Sequence, residues 1–170
     1  MAHIKLAGEL GRPVSVHGVQ VHGILYDALT ESWKGHELKG RRSRDKEKKA
    51  NPDADEEEAP KSYPPRICLH SFSGKSDAVK QYLKPSIPAK IFFSFCKANN
   101  LSFGAREKME DAVKAVPDNR ILVESDLHTA GERMDSELGE MYRVICEVKG
   151  WSLEQGVKQI AENHKEFIFG

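Results

Sequence analysis

Four short runs of apolar residues dominate the hydropathy pattern of this chain. They lie at residues 13–17, 66–70, 90–95 and 120–125. Glycine, proline or asparagine precedes each run by no more than two residues. A short and nearly continuous apolar run between turn residues is typical of a strand that is buried on both faces of a parallel sheet. The pattern therefore predicts four parallel strands.

Helical periodicity fills the segments after these runs. The predicted helices lie at residues 76–84, 105–116, 134–148 and from 153 onward, with a shorter one at 19–29. The stripe of the third helix stops at Gly150, a residue type that commonly ends helices. Ser152 and Gln155 have the spacing of a capping box, which predicts the start of the last helix. The inward face predicted for that helix comprises Leu153, Val157, Ile160 and His164.

Strands and helices thus alternate along the chain in about four units. Such alternation predicts an α/β fold with a parallel sheet and right-handed crossovers. The 170 residues are enough for one domain with a hydrophobic core of its own. We therefore expect a single domain that spans residues 1–170.

A run of charged, small and proline residues at 34–62 interrupts the alternation of predicted strands and helices. Basic residues dominate 39–49 and acidic residues dominate 53–58. Such a stretch buries too little apolar surface to offset its ordering entropy, so we predict a disordered insertion. It can serve as a patch for phosphate, a protein partner or a localisation receptor; nucleic-acid binding through it would weaken steeply with salt. A solvated loop whose two halves neutralise each other is the simpler interpretation.

Composition narrows the class of protein. Lys plus Arg and Asp plus Glu both number 26, and 39% of the residues are hydrophobic. These values exclude a strongly cationic nucleic-acid coat and a wholly disordered chain. No apolar run approaches the roughly 20 residues of a membrane span, and residues 1–10 lack the apolar centre of a secretory signal. We expect a cytoplasmic protein without membrane contact, or a nuclear one if residues 41–44 act as a signal.

Three cysteines, Cys68, Cys96 and Cys146, are widely spaced along the chain. Their odd number and the absence of a C-x-x-C motif favour free thiols over a disulfide framework or a zinc finger. We expect all three to be small buried apolar residues in a reducing compartment.

Polar side chains end three of the four predicted strands. His17 closes the first strand, His70 closes the second, and Asp126 follows the fourth. Ligands and catalytic groups gather at the carboxyl ends of parallel strands, so residues distant in sequence meet there. Two imidazoles and a carboxylate are a partial ligand set for a divalent metal. A single histidine at a strand end is more often a structural residue; its repetition in successive units favours the metal site.

Four segments of the chain resemble the TatD family of metal-dependent hydrolases. They are residues 12–17, residues 69–74 (Leu-His-Ser-Phe-Ser-Gly), residues 121–126 (Ile-Leu-Val-Glu-Ser-Asp), and Asn163 with residues 167–170. The His-Ser-Phe-Ser-Gly and Glu-Ser-Asp segments are the most specific, and the charged insertion is more similar to fungal members. The resemblance implies an amidohydrolase-type TIM barrel and, for many members, deoxyribonuclease activity.

The resemblance also implies roles for single residues. His17 matches the histidine that closes the family's fifth strand, His70 the histidine of its H-x-F-S/T-G motif, and Asp126 the aspartate of E-[ST]-D. All three are metal-site residues in the family, which implies a divalent ion; zinc, manganese and magnesium all remain open. Asp126 is further expected to orient the attacking water or accept its proton. The implied substrate is DNA or another phosphodiester.

One departure from the family pattern concerns the remaining ligands. The family carries an H-x-H pair on its first strand and a bridging glutamate in its first half, and neither precedes His17. The resemblance therefore implies the second half of a barrel, since a complete one takes about 250 residues. We expect open strand edges and an exposed inner face, in a truncated chain, a half-barrel that dimerises or one part of a split protein. Weak or no activity follows, and the alternative is a non-catalytic interaction protein on the same fold.

Overall fold

A four-stranded parallel sheet forms the centre of the computed structural model, which describes residues 1–18, 21–38, 61–101 and 104–170. The strands are β1 (Val14–His17), β2 (Arg66–His70), β3 (Lys90–Phe95) and β4 (Ile121–Val123). They pair in the order β1-β2-β3-β4, so each strand lies beside the next one along the chain. The predicted α/β fold of successive parallel units is confirmed.

Helices follow each strand, and two of the α-helices were not predicted. The helices are α1 (Ala2–Glu9), α2 (His22–Ser32), α3 (Ser76–Tyr82), α4 (Lys97–Asn100), α5 (Arg106–Ala115), α6 (Glu132–Lys149) and α7 (Leu153–Phe169). The unpredicted elements are α1, whose apolar stripe is weak, and α4, which is too short to show a period. Within the described ranges, no helix combines the length and the apolar character that crossing a membrane requires.

Each strand contributes alternate residues to two faces of the sheet. The outer face packs against the helices and holds Val14, Val16, Ile67, Leu69, Ile91, Phe93, Phe95, Ile121 and Val123. The inner face holds Cys68, Phe92 and Leu122, which cluster with Phe167 from α7. Because both faces of β2, β3 and β4 are covered, these strands read as nearly continuous apolar runs, whereas β1 alternates half-buried valines with the exposed Ser15 and His17.

The expectation of an exposed inner face is confirmed at β1, where Ser15 and His17 are exposed, and is wrong at the three strands that follow. Cys68, Phe92 and Leu122 are each at most 3% exposed. The physical reason is that α7 brings Phe167 across the sheet, where its ring lies 5.4 Å from the ring of Phe92. The strand edges are open as expected, since in the described part of the chain β1 and β4 each pair along one side.

The last helix begins where its capping box predicts but presents a different face to the core. Ser152 Oγ accepts from Gln155 N–H, and the Gln155 side chain accepts from Ser152 N–H. Leu153 and Val157, predicted to face inward, are 49% and 46% exposed. The buried positions are Gly156, Ile160, Asn163 and Phe167. A Cβ on Gly156 would stand 2.2 Å from Cys146 Sγ, so close contact between α6 and α7 turns the helix onto its glycine side.

The charged insertion leaves the fold and returns to it at nearly the same place. Ser62 Oγ donates to the backbone oxygen of Ser32, at the end of α2, over 2.6 Å. Residues 39–60 lie outside the described residues, so their predicted disorder stays a prediction. The two described ends nevertheless show that the segment is inserted between α2 and β2 without separating them.

The predicted burial and free state of the three cysteines are confirmed, and the reducing compartment stays a prediction. Cys68, Cys96 and Cys146 are buried free thiols. Burial raises the pKa of Cys68 to about 11. At neutral pH that thiol therefore stays protonated and behaves as a small apolar side chain.

Candidate metal centre

The register of the first two strands places the two predicted histidines side by side. His17 and His70 are direct partners in the β1–β2 ladder, and both are the last residue of their strand. Their Nδ1 atoms lie 3.0 Å apart, and their ring centroids are separated by 5.2 Å. Parallel pairing alone therefore brings together two imidazoles that are 53 residues apart in sequence.

The other edge of the His70 ring faces two carboxylates. His70 Nε2 lies 3.1 Å from Glu124 Oε2 and 3.6 Å from Asp126 Oδ1. An ionised carboxylate can only accept a hydrogen bond, so a neutral His70 carries its proton on Nε2 and turns the lone pair of Nδ1 toward His17. This is the tautomer that a metal-binding Nδ1 requires.

Glu124 is a site residue that the sequence prediction missed. Its backbone N–H donates to Phe95 O over 3.0 Å, so the ladder extends one residue past β4 and directs the Glu124 side chain to the inner face. Glu124 Oε1 accepts from Ser71 N–H over 2.6 Å while Oε2 faces His70. Burial raises the pKa of Glu124 above its ordinary value, an effect that the nearby His70 opposes. The Glu-Ser-Asp segment was the available signal, but only its aspartate was assigned a role.

Two residues at the site hold a backbone conformation that is unusual outside glycine. Ser71, directly after His70, has φ 49°, and Asp126 has φ 58°. Left-handed backbone at non-glycine residues costs on the order of 1–3 kcal/mol and persists where surrounding contacts compensate for it. Ser71 has such contacts, because its N–H also donates to Ser94 Oγ over 3.1 Å. The turns after β2 and β4 are therefore held in defined positions.

Asn99, from the short helix α4, links these two turns. Its Nδ2 donates to Ser71 Oγ over 2.6 Å and to Asp126 Oδ2 over 3.3 Å. Sequence reasoning missed this residue because the third strand ends in no histidine or acidic residue. All three predicted site residues and the two missed ones, Glu124 and Asn99, thus form one polar network at the carboxyl end of the sheet.

The nitrogen donors fit a first-row divalent ion. Nitrogens bound at about 2.0–2.1 Å to one tetrahedral zinc ion stand about 3.3 Å apart. The measured separation of 3.0 Å between His17 Nδ1 and His70 Nδ1 is close to that value. Asp126 lies across the His70 ring from His17, and within the described residues no group of three or more His, Cys, Asp or Glu side chains is arranged around one ion. The three predicted ligands form a chain of contacts rather than a closed shell.

Comparison with known proteins assigns the fold and the sequence to one family. The profile of the family described as TatD related DNase matches residues 1–169. The Cut9-interacting protein scn1 of Schizosaccharomyces pombe is 34% identical over 167 residues, which cover 98% of this chain and 49% of that protein. An uncharacterized deoxyribonuclease of Saccharomyces cerevisiae is 29% identical over 123 residues, covering 72% of this chain and 30% of that one.

A solved structure supports the fold independently. The crystal structure of a hydrolase of the TatD family from Entamoeba histolytica superimposes with a TM-score of 0.51 at 13% identity, covering 92% of this chain and 50% of that one. At this identity the likeness concerns the fold alone. The chain spans about half the length of the S. pombe relative and of this structure.

Proposed function

The chain belongs to the TatD related DNase family, and on this premise we propose that it carries part of the active site of a metal-dependent hydrolase that cleaves phosphodiester bonds in DNA. The contact between His17 Nδ1 and His70 Nδ1 carries the proposal. It places two imidazole nitrogens at the strand ends where parallel α/β enzymes hold their active sites.

Each residue of the site has a chemical role in this proposal. His17 and His70 would hold the divalent cation through Nδ1, and Asp126, the third predicted ligand, lies beside His70 Nε2 and would orient water or accept its proton. Histidine donors favour zinc or manganese, whereas more carboxylate would favour magnesium. When bound, such a cation polarises a phosphoryl oxygen and lowers the pKa of a bound water toward neutrality.

Glu124 supports the metal site without being assigned as a ligand. Its contact with His70 Nε2, at 3.1 Å, keeps the proton on that nitrogen and frees Nδ1. Carboxylates that hydrogen-bond the far nitrogen of a ligating histidine fix its tautomer and raise its basicity. The partly buried position of Glu124 makes this interaction stronger than it would be in water.

The complete ligand set requires residues beyond those of this chain. The printed sequence contains no H-x-H pair. We therefore propose that the 170-residue chain alone hydrolyses DNA weakly or not at all. The open edges of β1 and β4 are where a second copy, or a chain that carries the other half of the barrel, would pair.

Calorimetry tests the metal site directly. Zn²⁺ and Mn²⁺ are titrated into the wild type, His17→Ala, His70→Ala and, as a matched control, His3→Ala, whose side chain is exposed on α1. We expect binding to the wild type and to the control, and none to the other two variants. Equal binding by all four proteins would contradict the site. DNA turnover that persists in His70→Ala would contradict its catalytic role.

A second candidate function is a non-catalytic protein-interaction role on the same fold. The S. pombe relative at 34% identity is named a Cut9-interacting protein, and this observation favours it. A pull-down from a cell extract compares the wild type, a chain without residues 39–60, and His17→Ala. A partner lost only with residues 39–60 supports the interaction role. A partner retained by all three proteins excludes the charged segment as its binding surface. The location of the protein in cytoplasm or nucleus stays a prediction.

A further inference from the structure

The short helix α4 is anchored more firmly than its four residues would suggest. Asn100 Oδ1 accepts from Cys96 N–H over 2.9 Å, and Asn100 Nδ2 donates to Phe72 O over 2.8 Å. Asn100 is buried, and Lys97 pairs with Glu140 of α6 over 2.6 Å. The neighbouring Asn99 side chain is therefore presented from a fixed support above the candidate metal centre.

The side-chain amide of Asn99 connects the turns at Ser71 and Asp126, two non-glycine residues with left-handed backbone. Its Nδ2 has two protons, and the two contacts of that atom, to Ser71 Oγ and Asp126 Oδ2, use both. Ser71 follows His70 directly, so the amide holds the turn after β2 and the carboxylate after β4 at a set separation. Asn99, which belongs to the third strand–helix unit, thus contacts residues of the second and the fourth units.

We propose that Asn99 is a positioning residue, which holds Asp126 and the turn after His70 so that the carboxylates stay beside Nε2 of His70 and its Nδ1 stays turned toward His17. This inference rests on the proposed metal site and deepens it. An amide suits the position because it donates twice and carries no charge. A carboxylate of the same shape would offer no donor and would face Asp126 and Glu124 with a like charge.

The first test measures Zn²⁺ affinity by calorimetry in Asn99→Ala and in the isosteric Asn99→Asp. Loss of a residue that orients metal ligands typically costs 10–100-fold in metal affinity, and we expect a loss in that range for both variants. Asn119→Ala is the matched control, because Asn119 is exposed on the turn before β4. It should bind zinc as the wild type does. Wild-type affinity in both Asn99 variants would overturn the proposal.

The second test is made on metal-free protein by ¹⁵N-resolved NMR. In Asn99→Asp we expect the backbone amide signals of Ser71 and Asp126 to move while that of Ile160, on α7, stays in place. In the swap that combines Asn99→Asp with Asp126→Asn, the introduced amide donates to the introduced carboxylate. These signals should therefore return toward their wild-type positions. Zinc affinity should not return, because the Asp126 carboxylate beside His70 is gone.

The two tests separate the failure of this inference from the failure of the proposed function. A wild type that binds no zinc contradicts the metal site, and the NMR comparison then decides the positioning role by itself. Unmoved signals of Ser71 and Asp126 in Asn99→Asp, or no recovery in the swap, would overturn it. If Asn99→Ala does not fold, Asn99→Asp supplies both readouts.

Discussion

The two ends of the inner face of the sheet are built from different chemistry. At the amino-terminal end, the Phe92 and Phe167 rings pack edge to face, with Lys90 Nζ 5.6 Å and the Arg120 guanidinium 5.5 Å from the centre of the Phe92 ring. Arg66 donates to backbone carbonyls near the end of α7, including that of Phe167 over 2.8 Å. Aromatic packing, together with basic side chains that contact a ring or a backbone carbonyl, therefore covers this end of the inner face.

The carboxyl-terminal end of the same strands has no such aromatic packing among the residues that the structure describes. There His17, His70, Glu124, Asp126 and Asn99 contact one another through polar atoms. The strands continue from one end to the other, so the chemistry depends on position along the strand. Residues that stabilise the fold therefore lie at the amino-terminal end of the sheet, and the candidate site lies at the carboxyl-terminal end, as in parallel barrels generally.

The strongest test of this division is Phe92→Ala. Phe92 is fully buried, and removing a buried phenylalanine typically costs about 3–5 kcal/mol, so we expect a loss of unfolding free energy in that range by urea denaturation. Zn²⁺ affinity of the folded protein should not change. Phe169→Ala, at an 80% exposed site, is the matched control and should lie within about 0.5 kcal/mol of the wild type. A change in zinc affinity as large as that of His70→Ala would break the division.

At the other end, Glu124→Gln should act on binding rather than on stability. The substitution removes the carboxylate that faces His70 Nε2, and we expect about 10–100-fold weaker Zn²⁺ binding by calorimetry. Burial raises the pKa of Glu124, so its ionised form destabilises the fold above the unfolded pKa, and the neutral variant should melt no lower than the wild type at pH 7. The exposed Glu162→Gln is the control. A lower melting temperature with intact zinc affinity would show that Glu124 is structural.

The smallest effect is expected for Glu166→Gln, at the amino-terminal end. A hydrogen bond from Lys90 lowers the pKa of Glu166 below its ordinary value, so the pair stabilises the protein above the unfolded pKa and loses this effect as pH falls through the folded one. Both side chains are partly exposed, and such pairs contribute about 0.2–1 kcal/mol, less at high salt. Urea unfolding should therefore distinguish variant from wild type at pH 7 in low salt, and the difference should shrink as the pH is lowered below the unfolded pKa. A difference that does not change with pH would mean that the charge is not responsible.

Sequence alone predicted the strands and the end of the sheet at which the site lies, because a single physical rule determines each of them. The second, third and fourth strands were recognised because burial on both faces leaves few polar residues in them. His17, His70 and Asp126 were singled out by position because parallel strands share one functional end. Sequence predicted that these side chains meet at one end of the sheet, but not which of their atoms contact one another. Their roles as ligands stay a prediction.

What sequence did not predict depends on register and on contacts between helices. Glu124 and Asn99 enter the network through the pairing past β4 and through the anchoring of α4, neither of which has a periodic signal. The exposed Leu153 and Val157 were misplaced because the contact of Gly156 with Cys146 outweighs the apolar stripe. Tertiary packing overrode local pattern in each case.

The hydrogen bond from Ser62 to Ser32 holds the two ends of the charged insertion together, so the segment between them can be exchanged as a unit. This hydrogen bond joins the end of α2 to the residues before β2, so the placement of these elements does not depend on the length of the insertion. Even for a fully flexible loop, each doubling of length costs only about 0.6 kcal/mol. Evolution can therefore lengthen, shorten or recharge residues 39–60, and an engineer can graft a reporter there, while the strand ends keep their spacing.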